Sequence, residues 1–210
     1  TDPYALAICG REIWGKAPKG EESLHGRAVF EDYDWNGDVP LQLSWSDIVV
    51  YSTHVRGFTK HPSSGVKAKG TFQGIAERIP YLKELGINQL ELMPVYEFAE
   101  VEPWDEKRPP LRRPGNGRRE LLNYWGYTDA YYFAPKASYA ATDDPVREFK
   151  DLVRELHRNG IELVLEFYFP KGVRTALALD CIRHWVLEYH IDGIHVNRDH
   201  APVEALAQDP

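Results

Sequence analysis

The stretch DPVREFKDLVRELHRNGIELVLEFYF, residues 144–169, decides how this chain folds. Asp144 followed by Pro145 is typical of a helix start, because a capping side chain precedes a proline in the first turn. An apolar stripe at three- and four-residue steps predicts that the helix continues to Gly160, and its members are Val146, Phe149, Leu152, Val153 and Leu156. Residues 161–169 then form a strongly apolar run that predicts a buried strand. The stretch therefore predicts a helix that leads directly into a strand of a parallel sheet.

The same alternation extends to both sides of this unit. Strands are predicted at residues 48–51, 87–93, 161–169 and 191–196, and helices at 71–85, 144–160 and 175–189. Pro80 lies inside the first helical pattern and predicts a kink there. Strands that alternate with helices indicate an α/β fold with right-handed crossovers. Both a small open sheet and half of an eight-stranded barrel fit this order of elements.

Two regions lack this alternation. Residues 1–46 scatter Gly, Pro, Asp and Trp without periodicity, and we interpret them as an irregular N-terminal arm that precedes a domain at 47–210. The second region contains a basic run at 107–119 within a proline-rich stretch, and we interpret it as a solvated loop.

Composition excludes several classes of protein. With 43% hydrophobic residues among 210, the chain has enough apolar content to bury a core. A net charge of −7 argues against a nucleic-acid partner, which leaves a basic footprint. No apolar run approaches the roughly 18–20 residues of a membrane span. Two cysteines fit a reducing compartment, and no signal peptide is visible, so we expect a cytoplasmic protein.

Nothing in the spacing of ligand-type residues predicts a cofactor or a metal. The eight histidines form no cluster with zinc spacing, and no carboxylate-rich loop is typical of a calcium site. Residues 115–117, Gly-Asn-Gly, lack the strand–helix context of a phosphate-binding loop. We therefore expect neither.

Several ordered motifs carry a resemblance to a known family. They are HVRGFT at 54–59, GTFQG at 70–74, YLKELGI at 81–87, ELMPV at 91–95, NYWGY at 123–127 and YFAP at 132–135. Together they resemble glycoside hydrolase family 13, the α-amylase family, and most of all its isoamylase, type I pullulanase and glycogen-debranching branch. The resemblance implies that the chain forms the first half, about four βα units, of a TIM (βα)8 barrel.

The resemblance also implies a chemistry, the retaining hydrolysis of α-glucans by two carboxyl groups. The family has an aspartate nucleophile at the end of strand four and a glutamate acid/base at the end of strand five. An arginine two residues before the nucleophile supports it, and an Asp and a His at the end of strand three help to hold the sugar.

This chain departs from the family at those positions. Where the fourth-strand motif reads D-G-F-R-F-D, the chain has Asp192 and Gly193 but then His195 at the arginine position and Asn197 at the nucleophile position. Where the third-strand motif reads D-V-V-Y-N-H, the best register gives Glu166 for the Asp and Lys171 for the His.

These departures predict a catalytically silent protein, a pseudoenzyme of α-glucan metabolism. An amide is far less nucleophilic than a carboxylate and cannot form the glycosyl-ester intermediate. The acid/base glutamate of strand five does not occur within residues 1–210. The binding of α-glucan or maltooligosaccharide is expected to be weak or lost. The prediction depends on the Asn197 amide pointing into the barrel mouth, with no other carboxyl group in its place.

Two other functions stay open at this stage. One is an active retaining α-glucan hydrolase that a C-terminal half completes, with Asp199 as a shifted nucleophile. The other is a non-enzymatic half-barrel that serves as a scaffold.

Four strands leave two open sheet edges. A continuing chain, a homodimer or closure into a smaller sheet would cover them.

Four residues are candidates for contact with sugar. The family tyrosine at the position of Tyr127 stacks on the sugar, which predicts a pocket position, whereas for Trp125 core packing is favoured over sugar contact. Glu166 and Lys171 form either a residual polar lining or, as the favoured interpretation, a mutual salt bridge on the rim, worth about 0–1 kcal/mol.

Overall fold

The computed structural model describes residues 2–18, 20, 24–30, 32–102 and 121–209, so the basic run at 107–119 lies outside the described residues. In chain order the elements are β1 (Ile8–Cys9), β2 (His25–Gly26), β3 (Val50–Thr53), α1 (Val55–Thr59), α2 (Phe72–Ala76), α3 (Ile79–Leu85), β4 (Gln89–Leu92), β5 (Tyr96–Phe98), β6 (Val101–Glu102), β7 (Leu121–Leu122), β8 (Ala130–Pro135), α4 (Pro145–Arg158), β9 (Glu162–Phe167), α5 (Thr175–Tyr189), β10 (Gly193–Val196) and α6 (Val203–Leu206). Within the described ranges no helix is both long enough and apolar enough to cross a membrane.

The main sheet has four parallel strands in the order β3-β4-β9-β10. Each predicted strand is present, and helices separate consecutive strands along the chain, as the sequence pattern indicates. Strands β3 and β10 form the two edges of this sheet. The three ways of covering these edges stay predictions.

The single helix predicted over residues 71–85 is in fact two helices. Helix α2 ends at Ala76 and α3 begins at Ile79, with Pro80 in its first turn. Proline has no N–H to donate to the carbonyl four residues before it, so the first helix cannot continue through Pro80. The predicted kink is therefore a complete break.

The core lies between the outward face of the sheet and the helices. Leu90 and Leu92 of β4 and Leu163 and Leu165 of β9 are fully buried. They share one hydrophobic cluster with the α4 stripe, whose members Val146, Phe149, Leu152, Val153 and Leu156 are buried as predicted. Burial of each such side chain contributes about 1.5–3 kcal/mol. The opposite face alternates with this one; Gln89, Glu91, Val164 and Glu166 are half-buried there, whereas Glu162 is buried.

The N-terminal region packs onto the domain that follows it. It is irregular apart from the short antiparallel pair of β1 and β2. Trp35 stacks on the His190 ring, with a centroid distance of 3.9 Å and an interplanar angle of 13°. Asp38 accepts hydrogen bonds from His190 and from His157 at 2.9 Å each. These contacts anchor the arm where α4 and α5 end. The division of the chain at residue 46 stays a prediction.

One buried carboxylate fixes the start of α4. Glu148 accepts backbone N–H bonds from Gln73, Ala141 and Thr142, at 2.8–3.0 Å, and a further bond from the Thr142 hydroxyl at 3.1 Å. It thereby joins α2, the loop before α4 and α4 itself.

We expect Glu148→Gln to lower the free energy of unfolding by about 2–3 kcal/mol, because the amide nitrogen would face N–H donors that need an acceptor. Urea unfolding followed by circular dichroism measures this change. The control is Glu155→Gln on the same helix, where the partly exposed ion pair with Arg158 predicts a change of about 0.5 kcal/mol or less. Equal losses in both variants would contradict this role of Glu148.

A second prediction concerns pH. Burial lowers the pKa of His157, but its hydrogen bonds to Asp192 and Asp38 outweigh burial, and the pKa lies above its ordinary value. Because the folded pKa exceeds the unfolded one of about 6.5, the stabilisation is present below pH 6.5 and is lost as pH rises through the folded pKa. We expect the free energy of unfolding to fall over that range in the natural chain and to fall less in His157→Gln. Identical pH profiles for the natural chain and His157→Gln would refute this role of His157.

Candidate functional site at the carboxyl ends of the parallel strands

Three neighbouring strands bring polar side chains to one place. Glu166 of β9 lies opposite His195 of β10, and Glu91 of β4 lies opposite Val164, so all three polar residues are on the same face of the sheet. His195 Nδ1 is 3.4 Å from Glu91 Oε2. One ligand-type atom from each of the three side chains lies within 4.8 Å of the others. We call Glu91, Glu166 and His195 the strand-end cluster.

Tyr127 joins this cluster from outside the sheet. Its hydroxyl donates a 2.6 Å hydrogen bond to Glu166 Oε2. Burial, the hydrogen bond to Glu166 and the charge of Glu166 raise the pKa of Tyr127, so the phenol keeps its proton and remains a donor. The ring is 43% exposed. The structure therefore places Tyr127 next to Glu166 at the open end of the strands.

The turn that presents Tyr127 requires a glycine. Asn123 Oδ1 accepts a hydrogen bond from the Gly126 N–H at 3.0 Å, which closes the turn. Gly126 has a φ of +82°, and a Cβ there would lie 2.5 Å from the Phe98 ring. The NYWGY motif thus combines a capping side chain with a residue that only glycine can occupy. It projects the side chains on either side of Gly126 outward.

Trp125 is one of these projecting side chains, and 52% of it is exposed. Its ring touches Tyr124 edge-on, at a centroid distance of 5.1 Å. The expectation that Trp125 packs in the core is therefore wrong. The turn directs the ring away from the core, and it is available for contact with a ligand.

His54, in the HVRGFT motif, supports this turn from below. Its Nδ1 accepts the N–H groups of Arg56 and Gly57, and its Nε2 bonds to the carbonyl oxygen of Tyr124 at 2.8 Å. Burial lowers the pKa of His54 to about 4, so the ring is neutral. It thereby links the end of β3 to the NYWGY turn.

Asn197 is engaged with the neighbouring strand. Its Oδ1 accepts the Phe169 N–H at 2.8 Å, and its Nδ2 donates to the Phe169 carbonyl at 2.9 Å. The side chain therefore extends the pairing of β9 and β10 beyond the last backbone rung. The amide therefore does not point freely into the mouth, and the orientation on which the prediction of a silent enzyme depended is wrong. The carboxylates that face the open end there are Glu91 and Glu166.

Two other predicted residues lie apart from the strand-end cluster. Lys171 is exposed in the turn after β9, and within the described residues it forms no ion pair with Glu166. The predicted rim salt bridge is wrong. Glu166 lies on the sheet face shared with His195 and bonds to Tyr127, whereas Lys171 is exposed in the turn that follows Pro170. Asp199 is exposed in the turn after β10 and is not part of the cluster. A sugar-lining role for Lys171 stays a prediction.

The sequence reasoning missed Glu91 and the grouping of the three side chains. The available signal was a carboxylate inside the apolar ELMPV motif at the end of a strand. Ligand spacing could not reveal the group, because its members are 75 and 29 residues apart. Chemically, two carboxylates, an imidazole and a phenol offer ligands for a cation and polar contacts for sugar hydroxyls.

Comparisons with known proteins agree with this architecture. The model of the family described as "Alpha amylase, catalytic domain" matches residues 29–170. Isoamylase 1, chloroplastic, of Arabidopsis thaliana is 34% identical over 91% of this chain and 31% of its own length. The glycogen debranching enzyme of Dickeya chrysanthemi is 42% identical over 67% of this chain and 20% of its own length.

Among solved structures, the pullulanase of Paenibacillus barengoltzii in complex with maltohexaose and α-cyclodextrin has a TM-score of 0.68 at 25% identity, and covers 93% of this chain and 36% of its own. The chain thus spans between about a fifth and just over a third of the length of these relatives. The predicted resemblance and the partial TIM barrel are both confirmed. The chain belongs to the α-amylase family, glycoside hydrolase family 13, and its relatives include isoamylases and glycogen-debranching enzymes.

Proposed function

We propose that this chain binds α-glucan at the carboxyl ends of its strands and supplies no nucleophile for glycoside hydrolysis. It would then be a catalytically silent member of the debranching and pullulanase-like branch. Silence is no longer supported by an amide in the barrel mouth, because the Asn197 side chain bonds to both backbone polar groups of Phe169. The support that remains is the identity of this residue, since the nucleophile position has an amide and not a carboxylate. An amide is a poor nucleophile, and this one is also held in the sheet.

The two carboxylates of the strand-end cluster do not replace the missing pair. A glycosidase places its two carboxyl groups on either side of the scissile bond. Glu91 and Glu166 extend side by side from adjacent strands of one sheet face, with ligand atoms within 4.8 Å. Glu166 is also held by the Tyr127 hydroxyl. In the family the catalytic pair lies at the ends of the fourth and fifth barrel strands, whereas Glu91 and Glu166 lie on the second and third strands of this sheet, so neither occupies a position of that pair.

Aromatic rings at this end of the sheet support sugar binding. Trp125 and Tyr127 are each about half exposed, and Tyr168 lies edge-on to Tyr127 at a centroid distance of 6.1 Å. Aromatic faces suit the apolar C–H faces of glucose, and the carboxylates beside them accept bonds from its hydroxyls. The relative crystallised with maltohexaose is consistent with a linear α-glucan as the ligand class. Cytoplasmic localisation and the absence of nucleic-acid partners stay predictions.

The nucleophile position gives the first test. We expect the natural chain not to hydrolyse pullulan, glycogen or maltooligosaccharides, and Asn197→Asp not to gain activity. The new carboxylate would face the Phe169 carbonyl, so the free energy of unfolding should fall by about 1–3 kcal/mol.

The control for this variant is Asn36→Asp, the same chemical change at an exposed position, with an expected effect within about 0.5 kcal/mol. Reducing-sugar release and urea unfolding are the measurements. Turnover by the natural chain that Glu166→Gln or Asp199→Ala removes would overturn the proposal of silence.

The aromatic residues give the second test. Isothermal titration with maltohexaose should detect binding that weakens about five- to tenfold in Trp125→Ala, since an aromatic contact contributes about 1 kcal/mol. Trp45→Ala is the matched control, because Trp45 is 91% exposed but precedes β3, at the opposite ends of the strands. Absence of any maltohexaose binding, or equal weakening in both variants, would refute the glucan site.

A further inference from the structure

We propose that Glu91, Glu166 and His195 bind one divalent transition-metal ion, of the zinc and cobalt class, at the carboxyl ends of β4, β9 and β10. The proposal concerns a site that the resemblance does not imply, since it uses His195 where the family has arginine. It does not depend on glucan binding or on catalytic silence. Spacing rules in the sequence predict no metal here, because the three ligands come from three separate strands.

The geometry of the strand-end cluster is close to that of a coordination shell. Zinc holds nitrogen and oxygen ligands at about 2.0–2.2 Å, so tetrahedral ligand atoms lie roughly 3.3–3.6 Å from each other. His195 Nδ1 and Glu91 Oε2 are already 3.4 Å apart. All three ligand atoms lie within 4.8 Å, so small side-chain rotations suffice to contact one ion. Among the described residues, these are the three metal-ligating side chains whose ligand atoms lie this close together.

Charge also favours a cation at this place. The Glu91 and Glu166 carboxylates lie close together on one face of the sheet. Within the described residues, Glu91 forms an ion pair with His195. No lysine or arginine in that part of the chain lies within salt-bridge distance of either carboxylate. A divalent ion would neutralise both carboxylates, whereas a histidine supplies at most one positive charge. The imidazole selects zinc or cobalt over magnesium and calcium, which prefer ligand sets of oxygen alone.

The surroundings provide the other features of a metal site. The Tyr127 hydroxyl holds Glu166 Oε2, which orients the carboxylate and leaves Oε1 for the ion. The His195 side chain is 61% exposed, so an ion and a water ligand have direct access from solvent. Three protein ligands with one open position are the arrangement of many zinc sites that keep a bound water.

The test uses the full chain, freed of metal by chelation and dialysis. Isothermal titration with Zn²⁺ should show one site, and Co²⁺ should produce visible d–d absorption. Glu91→Gln and His195→Ala should each weaken Zn²⁺ binding at least tenfold and abolish the Co²⁺ spectrum. Tyr127→Phe should weaken it about tenfold, by loss of the outer hydrogen bond. Both ligand variants are at half-buried or exposed positions, and circular dichroism verifies their folding.

The matched control is His200→Ala, which removes another exposed histidine just after β10 and should leave Zn²⁺ binding unchanged. The proposal is overturned if the natural chain gives no Zn²⁺ heat, or if His195→Ala binds Zn²⁺ as tightly as the natural chain. The proposal would also be contradicted if Mg²⁺ removed the Co²⁺ absorption at the same concentration as Zn²⁺ does. Because maltohexaose plays no part in these titrations, their failure is distinguishable from failure of the glucan site.

Discussion

The parallel pairing of β4, β9 and β10 is the constraint on which the rest of the site depends. In a parallel sheet the carboxyl ends of all strands lie at the same end of the sheet, and alternate residues of a strand share one face. The observed register sets Glu166 opposite His195 and places Glu91 two residues diagonal to Glu166. A shift of one residue in either pairing would turn the side chains of the shifted strand toward the helices and replace them with the apolar residues that alternate with them, which are leucine in β4, leucine and phenylalanine in β9, and isoleucine and valine in β10. Burial of the apolar face under α4 therefore determines which polar groups meet at the open end.

The same pairing explains what an amide does at position 197. The residue after β10 can extend the ladder only if its side chain both donates and accepts, because Phe169 presents an N–H and a carbonyl side by side. Asparagine meets that requirement, and aspartate meets half of it. In an enzyme with an aspartate nucleophile the carboxylate must instead stay available to the substrate. Here a structural use of the side chain and the loss of nucleophilicity go together.

The sequence predicted the elements better than the contacts of their side chains. Apolar runs were sufficient to predict all four strands, and the stripe of α4 to predict its buried face. Pro80 signalled a disturbance, but pattern alone could not say whether a kink or a break would result. Exposure of Trp125 depends on the turn at Gly126, whose φ and contact with Phe98 appear only in three dimensions. The strand-end cluster could not be predicted for a similar reason, since the register between strands that are far apart in sequence decides which residues are neighbours.

The two carboxylates and the histidine are best understood as one arrangement. In the family the position of His195 has an arginine, a fixed cation that supports a nucleophilic carboxylate beside it. A histidine there gives up permanent charge and gains a lone pair that a metal can use. Glu91 and Glu166 converge on that lone pair from adjacent strands, whereas a glycosidase needs carboxyl groups that face each other across a sugar bond. The convergence of these three side chains on one point favours chelation of a single ion.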